Sequence, residues 1–278
     1  MSYLQDVKKN SRFEFGKNWT IFLQSLNENR IVLAEKSLQE KLNIKSLQGK
    51  SFLDIGSGSG LFSLAAKRLG AKVYSFDFDP YSVNCTTELK EKYFSNDNDW
   101  VINTGSVLDD EFMSSLPKFD IVYSWGVLHH TGNLLKALEN AALRVSNNGY
   151  LFIAIYNDQG NISKRWLQIK KAYNFLPKGI KWLIWIPMLI RIWWRASLKD
   201  LLKGKPFHTW KHYAEFESRG MTPFRDLLDW VGGLPFEVAS PEKIFEFYKN
   251  RSFKLTKLKT CGGGLGCNEF IFKKNKTD

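Results

Sequence analysis

The sequence predicts an α/β protein built on a doubly wound, mostly parallel sheet. Short apolar segments, typical of buried strands, alternate with helical segments over residues 49–159. A glycine-rich turn directly follows the first of these strands. Near the C-terminus, two short strand-like segments are joined by the glycine-rich stretch 261–267, which favours an antiparallel hairpin at the edge of the sheet. A long helical segment separates the fifth strand from this hairpin.

The elements divide the chain into four parts. Residues 1–48 are predicted to be helical, 49–159 to form the core, 160–240 to form a basic, Trp-rich helical insertion, and 241–278 to complete the sheet. Seven strands are expected, at 51–56, 72–79, 100–106, 119–126, 147–158, 253–260 and 268–274. Helices are expected at 61–70, from the second strand to about 93, at 134–146 and at 241–251.

Composition excludes several classes of protein. Of the 278 residues 44% are hydrophobic, which is enough for one large core, and the charged fraction of 24% argues against disorder. Three cysteines do not form a disulfide framework, so a reducing compartment is expected. The N-terminus lacks the apolar stretch of a secretory signal, and no uncharged apolar run is long enough to span a membrane. A cytoplasmic location is therefore expected.

The turn after the first strand has the pattern D-x-G-x-G-x-G. Gly56, Gly58 and Gly60 allow a sharp backbone turn and the close approach of a ligand, although a tight turn alone would also use them. Asp77, at the end of the second strand, can accept both ribose hydroxyls of an adenosine nucleoside. Asp54, two residues before the first glycine, would oppose a pyrophosphate and suits the ammonium group of an amino-acid moiety.

Residues 50–158 resemble the class I S-adenosylmethionine (SAM)-dependent methyltransferases, whose sheet is Rossmann-like. The resemblance implies SAM as the cofactor. Ser106 stands where many members have Asp, and Asp120 matches the acid of their fourth-strand motif. The resemblance implies cofactor contacts from Asp54, Gly56, Ser57, Gly58, Gly60, Asp77, Phe78, Ser106, Val107, Trp125 and Gly126.

Within this class, the chain is most similar to ubiquinone- and menaquinone-type enzymes. Those often carry Leu-Glu-His after strand four, where this chain has Leu128-His129-His130, so His130 aligns with their His. The stretch 25–38 is similar to a segment of the quinone-type members that supplies an arginine to the SAM carboxylate. Arg30 would be that residue, or else an exposed helix charge.

Methyl transfer to a hydroxyl needs alignment and a base that is active near neutral pH. His130 and His129 follow the fourth strand and are the candidate catalytic residues; the alternative is that one of them packs against or caps the next helix. His208 and His212 lie four residues apart, but the spacing marks no further ligand, so no metal site is predicted.

The charge of the chain is concentrated in residues 160–211. This segment holds twelve Lys and Arg and one acid, so it carries +11 of the total +12, and it holds six of the ten tryptophans. An anionic membrane surface, a substrate lid and a nucleic-acid groove all remain open as explanations. The aliphatic bulk of 184–192 favours lipid over nucleic acid, and Pro187 interrupts a stretch too short to span a bilayer.

The sequence thus predicts a SAM-dependent methyltransferase that modifies a small-molecule or lipid-linked acceptor at oxygen, in the cytoplasm or peripherally on a membrane. The alternatives are an RNA methyltransferase, a sugar methyltransferase of a polysaccharide pathway, and a non-catalytic SAM-binding adaptor.

Overall fold

A computed structural model describes residues 3–213 and 222–276. Its seven-stranded sheet has the order β3-β2-β1-β4-β5-β7-β6. The first five strands run parallel, and β7 runs antiparallel to both β5 and β6. The strands are β1 (Ser51–Ile55), β2 (Lys72–Asp77), β3 (Trp100–Thr104), β4 (Phe119–Trp125), β5 (Val145–Tyr156), β6 (Phe253–Lys259) and β7 (Cys267–Lys274).

Helices cover both faces of the sheet and form the segment between β5 and β6. Two short 3₁₀ helices lie at Leu128–His130 and Lys178–Ile180. The α-helices are α1 (Tyr3–Lys8), α2 (Phe15–Gln24), α3 (Glu28–Leu42), α4 (Leu61–Arg68), α5 (Pro80–Phe94), α6 (Asp110–Ser115), α7 (Leu134–Leu143), α8 (Asn161–Phe175), α9 (Trp182–Leu202), α10 (His208–Lys211), α11 (Pro223–Gly232) and α12 (Pro241–Lys249).

Alternating side chains of the central strands pack into two separate hydrophobic cores, one on each face of the sheet. Phe52 of β1 belongs to the core under α3, α4 and α5, whereas Leu53 belongs to the core under α6, α7 and α12. Both side chains are fully buried. A strand that is apolar on both faces is typical of a parallel sheet covered by helices on each side, which explains the continuous apolar runs in the sequence.

Side-chain caps fix where several helices begin. The Asp79 carboxylate accepts the backbone N–H of Tyr81, and Pro80 occupies the first turn of α5. Ser240 caps α12 in the same way before Pro241. A carboxylate or hydroxyl at this position accepts an N–H that the helix itself leaves without a partner, and proline has no N–H to satisfy there.

The segment between β5 and β6 has a small core of its own. Trp166 and Tyr173 of α8 pack against Leu227 and Val231 of α11. One side of α9 adds partly buried apolar residues to this cluster: Ile184, Trp185, Met188 and Leu189. The insertion is therefore a packed helical layer attached to the main fold.

The observed topology confirms the predicted fold class. Every predicted strand is present, and most end one or two residues earlier than predicted, because the final residues turn away from the ladder to form the loops at the sheet's edge. The four predicted parts, 1–48, 49–159, 160–240 and 241–278, remain a prediction; residues 214–221 of the third part lie outside the described residues.

In the part of the chain that the structure describes, no helix combines the length and the hydropathy that crossing a bilayer demands. The longest, α9, has 21 residues and contains Pro187.

Gly60 sets the distance between α4 and α5. Its φ is +78°, and an added Cβ would lie 2.8 Å from the Cα of Thr86. We expect Gly60→Ala to lower the free energy of unfolding by about 1–3 kcal/mol, because the backbone of α5 would have to move. Urea unfolding measures this change.

The matched control is Gly179→Ala, where no atom lies within 4 Å of the added Cβ and φ is not positive. We expect a change within about 0.5 kcal/mol there. Equal effects of the two substitutions would contradict the close approach of α4 and α5 at Gly60.

Candidate active site

A pocket opens at the carboxyl ends of β1, β2 and β4, where ligands bind in open parallel sheets. The loops after these strands form its floor, and the N-terminal residues and α11 form its walls. Of the residues predicted to form the site, the pocket is lined by Asp54, Gly56, Ser57, Gly58, Asp77, Phe78, Ser106, Val107, Trp125, Gly126 and His130.

The glycine turn is held against β2 by its backbone. The N–H of Gly56 donates to the carbonyl of Phe76 over 2.8 Å, with φ at +76°. A Cβ on Gly56 would lie 2.4 Å from the Val127 side chain, so no larger residue fits there. Gly126, after β4, also has a positive φ, but an added Cβ there would meet no protein atom within 4 Å.

The Asp77 carboxylate joins the glycine turn to the end of β2. Its Oδ2 accepts the N–H of Gly58 over 2.9 Å, and its Oδ1 accepts the N–H of Asp79 over 2.8 Å. Burial raises the pKa of Asp77 to about 6, and these two hydrogen bonds oppose that rise. The carboxyl is thus a half-buried acceptor that is mostly ionised at neutral pH.

Asp54 is the second carboxyl of the pocket floor and is only 2% exposed. Its Oδ2 accepts the hydroxyl of Ser63 over 2.5 Å, and Ser63 also shares a hydrogen bond with Ser75. Burial raises the pKa of Asp54 to about 7 despite the bond from Ser63. A cation bound beside this carboxyl would favour its ionised form.

Asp79 fastens the N-terminal residues over the pocket. Its Oδ2 accepts both the hydroxyl of Tyr3 over 2.6 Å and the N–H of Gly16 over 2.8 Å. The chain between these two points passes along the pocket and places Arg12 and Phe13 in its wall. The residues before β1 therefore belong to the site as well as to the core.

His130 lies on the short 3₁₀ helix after β4, and its side chain faces Phe15 with ring centroids 4.9 Å apart. Its Nδ1 lies 2.6 Å from the carbonyl oxygen of Pro235. Since a carbonyl oxygen only accepts, this bond assigns the proton of the neutral ring to Nδ1 and the lone pair to Nε2.

Three predicted residues lie outside the lining of the pocket. Gly60 packs α4 against α5 instead. His129 is fully buried, with its ring 3.9 Å from that of Tyr156, and its Nδ1 accepts the Tyr156 N–H. Arg30 lies on α3, where its guanidinium donates to Ser25 and covers the ring of Phe22.

Several pocket residues were missed by the sequence analysis. They come from the N-terminal residues and from α11, and they include Arg12, Phe13, Phe15, Trp19, Asp226, Asp229 and Trp230. The carboxylates of Asp226 and Asp229 lie three residues apart on a helix whose start Thr222 and Pro223 mark in the sequence, so their common face could have been predicted. No local pattern marks Arg12.

Lys170 supports the α11 wall from behind. It is fully buried, its Nζ donates to the carbonyl of Trp230, and the ring of Phe236 lies 4.7 Å from it. Burial lowers the pKa of Lys170 to about 7, and the nearby Asp229 opposes that fall. The lysine thereby connects α8 to the helix that carries the acidic pocket residues.

The pocket residues fit a sulfonium nucleoside bearing an amino acid. The half-buried carboxyl of Asp77, at the end of β2, suits ribose hydroxyls, and the buried carboxyl of Asp54 suits a cationic group. Gly58 and Gly126 leave room that a side chain would fill, since a Cβ on Gly58 would lie 3.0 Å from Trp19.

Comparison with known protein families shows to which family the chain belongs. The profile of a family described as "Methyltransferase domain" matches residues 26–226, which is more than half of the chain. The chain belongs to this methyltransferase family. The methyltransferase has the SAM-binding fold, so SAM is its cofactor and it is a SAM-dependent enzyme.

Curated relatives of the methyltransferase act on different acceptors. It is similar to the ubiquinone biosynthesis O-methyltransferase of Pelagibacter ubique, with 24% identity over 62% of this chain and 67% of that protein. It is also similar to the ribosomal protein L11 methyltransferase of Prochlorococcus marinus, with 35% identity over 43% of this chain and 40% of that protein. The match thus spans less than half of the second relative.

Among solved structures, the methyltransferase is similar to the magnesium protoporphyrin IX methyltransferase of Synechocystis with bound SAH. The TM-score is 0.51 at 14% sequence identity, covering 90% of this chain and 89% of the other. At this identity the similarity shows the fold alone. The methyl acceptor of this enzyme is therefore not given by its relatives.

The raised pKa of Asp77 predicts a pH-dependent affinity for SAM. Hydroxyl donors favour the ionised carboxylate, so a proton competes with the cofactor as the pH falls below about 6. We expect the Kd of the wild type to rise at least about tenfold between pH 7.5 and 5. Asp77→Asn should have a higher Kd for SAM at pH 7.5. Between pH 7.5 and 5, its Kd should rise by a factor about ten times smaller than that of the wild type.

Isothermal calorimetry across this pH range measures both effects. The matched control is Asp99→Asn, a surface carboxylate outside the pocket lining, which should leave the profile unchanged. A wild-type affinity that is independent of pH, or an Asp77→Asn profile identical to that of the wild type, would contradict the ribose assignment.

Proposed function

We propose that the enzyme methylates an oxygen of a small-molecule or lipid-linked acceptor, with His130 as the general base. The supporting observation is the hydrogen bond between His130 Nδ1 and the Pro235 carbonyl at the pocket wall. Because this bond keeps the neutral ring's proton on Nδ1, Nε2 is the nitrogen that can take a proton from a hydroxyl.

SAM, when bound, would supply a methyl group activated by its sulfonium: the acceptor oxygen would attack the methyl carbon in line, the S–CH3 bond would break, and neutral S-adenosylhomocysteine would leave. The residues of this chain supply alignment and proton removal. Phe15 and Tyr156 flank the His130 ring, at centroid distances of 4.9 and 5.2 Å, and limit its movement. The Arg12 guanidinium donates to the backbone carbonyl of His130 over 3.3 Å and helps to hold the short helix in place.

Arg12 takes the role that the sequence assigned to Arg30, that of partner for the SAM carboxylate. Its guanidinium lies 4.8 Å from the ring centroid of Phe78 in the pocket lining and carries one ion pair, to Asp6 at 3.4 Å. An arginine can bind a second carboxylate with its remaining donors.

A sugar hydroxyl is a second candidate acceptor, favoured by the α11 wall. Asp226 and Asp229 present carboxylates beside the ring of Trp230, and carboxylates with an aromatic ring suit a polyhydroxylated group. The Asp229 carboxylate also accepts a hydrogen bond from the side-chain amide of Asn18, and the Asp226 carboxylate accepts one from the hydroxyl of Tyr213 over 2.8 Å. Neighbouring side chains thus position both carboxylates.

We assign the basic segment 160–211 to contact with an anionic membrane surface, and place the enzyme in the cytoplasm, peripheral to the membrane. The charge of +11 and the tryptophans support this partner over a solvated lid or a nucleic acid. The sparse, odd number of cysteines supports a reducing compartment.

Comparing two arginines tests the carboxylate partner. We expect Arg12→Gln to weaken SAM binding by about ten- to hundredfold, because a charge-assisted hydrogen bond is lost, and Arg30→Gln to change it less than about threefold. Calorimetry with SAM measures both. A larger loss for Arg30→Gln than for Arg12→Gln would contradict the assignment to Arg12.

Replacing His130 by Asn tests the base, because the Asn amide can still donate to the Pro235 carbonyl. We expect transfer of labelled methyl from SAM into fractionated extract of the source cells to fall by about 10²–10⁴. SAM affinity should stay within about threefold. His208→Asn, on α10, is the matched control, and it should keep full activity.

Unchanged turnover of His130→Asn would rule out the base. Label in the RNA fraction of the wild-type reaction would favour an RNA methyltransferase over the proposed acceptor class. Tight SAM binding with no label in any fraction would favour a non-catalytic adaptor.

A further inference from the structure

Helix α9 exposes a continuous row of apolar side chains. Six residues at separations of three or four lie along one side of the helix, and each is between 37% and 63% exposed. We call this row the apolar ridge: Leu183, Ile186, Ile190, Trp194, Leu198 and Leu201. Single exposed apolar residues are ordinary, but a contiguous row of this length marks an interaction surface.

In the first half of α9, the side opposite the ridge packs against the protein. Trp185, Met188 and Leu189 pack into the core between α8 and α11. Near the end of the helix, the buried Asp200 accepts the N–H and the hydroxyl of Thr209 over 2.7 and 2.8 Å. The apolar ridge therefore points away from the body of the protein.

A row of cations winds around α9 from the edge of the apolar ridge. Arg191, Arg195, Lys199 and Lys203, here called the basic row, are exposed and lie four residues apart. A spacing of four advances about 40° around a helix with each step, so over three steps the row passes from the edge of the apolar ridge, at Arg191, to the opposite face, at Lys203. Asp200 is the single acid of α9, and it is buried.

We propose that the apolar ridge and the basic row together dock the enzyme onto an anionic phospholipid bilayer, with α9 lying along the bilayer surface. Apolar side chains beside Lys and Arg are typical of interfacial helices. The charges attract anionic headgroups, while the ridge enters the boundary between headgroups and acyl chains.

Charge argues against two other occupants. A second copy of the chain seated on this face would bring two basic rows together, and like charges repel. A nucleic acid would use the basic row but would gain nothing from exposed isoleucines and leucines.

An apolar groove continues the ridge towards α8. It lies between the two helices and is lined by Ile169, Ala172, Leu183, Ile184, Pro187 and Met188, with Gln168 as its one polar member. Leu183 belongs to both the groove and the ridge, so apolar surface extends from the ridge into a concave site. Such a site can receive part of an acyl chain.

The docking surface is one helix away from the pocket. Trp185 of α9 meets Phe224 of α11 at a centroid distance of 5.2 Å, and α11 carries the pocket residues Asp226 and Trp230. Membrane docking would hold the pocket close to the headgroup layer, where a lipid-linked acceptor is found. Both the docking and this consequence rest on the proposed function, which assigns segment 160–211 to an anionic membrane surface; the docking does not depend on the proposed methyl acceptor or base.

Flotation with vesicles tests the docking without any methyl acceptor. The probe is phosphatidylcholine vesicles containing about one third phosphatidylglycerol, compared with pure phosphatidylcholine. We expect the full chain to bind the anionic vesicles, and added salt to weaken the binding. Ile190→Asp with Trp194→Asp should lower the partition coefficient by about a hundredfold.

Reversing the four charges of the basic row to Glu should also lower binding by about a hundredfold or more. Two matched controls test whether the loss of binding depends on the position of the changed residues in α9 or only on the kind of substitution. Leu135→Asp with Leu143→Asp changes two leucines of α7 that are 66% and 49% exposed. Reversal of four exposed lysines elsewhere, Lys9, Lys45, Lys243 and Lys254, changes the net charge equally. Both controls should bind more tightly than their α9 counterparts by at least about tenfold.

Calorimetry with SAM on each variant shows that the fold is intact and separates a failure of docking from a failure of the methyltransferase site. No binding by the wild type, or equal binding to neutral vesicles, overturns the proposal. So does equal loss in the controls. If sedimentation shows that the wild type is a dimer and that Ile190→Asp with Trp194→Asp is a monomer, and the wild type does not bind vesicles, the surface is assigned to a second copy of the chain. Salt-sensitive binding to RNA, without vesicle binding, assigns it to nucleic acid.

Discussion

The half-buried carboxylate of Asp77 makes the interactions on which the site depends. By accepting the N–H groups of Gly58 and Asp79, it fixes the glycine turn relative to the end of β2. The Asp79 carboxylate in turn accepts hydrogen bonds from the hydroxyl of Tyr3 and the N–H of Gly16. These two bonds hold the N-terminal residues across the opening of the pocket. Two acids, two residues apart, thus organise both the floor and one wall of the pocket, because each can accept several donors at once.

The pocket is assembled from three stretches of chain that are far apart in sequence. The strand ends provide the cofactor side, the N-terminal residues provide Arg12 and the aromatic wall, and α11 provides the acidic side. His130 lies where the three meet, since its ring contacts Phe15 and its Nδ1 donates to Pro235. This arrangement adds walls from outside the core sheet to the strand ends of a methyltransferase fold.

The sequence was most informative where local pattern decides structure. The apolar strands, the glycine turn and Asp77 follow from spacing alone, and the structure has them in the expected order along the sheet. Long-range contacts were not predictable. Nothing local distinguishes Arg12, which reaches His130 across 118 positions, from Arg30, whose guanidinium contacts the sequence neighbours Ser25 and Phe22. His129 and His130 are neighbours in sequence, and only the turn of the 3₁₀ helix sends one into the core and the other to the pocket.

A crystal structure of the protein with S-adenosylhomocysteine tests the central claim most directly. The account predicts the nucleoside across the ends of β1 and β2, with both ribose hydroxyls on the Asp77 carboxylate and the amino group on the side of Asp54. Density for the ligand elsewhere on the protein, or a ribose that makes no contact with Asp77, would contradict the account.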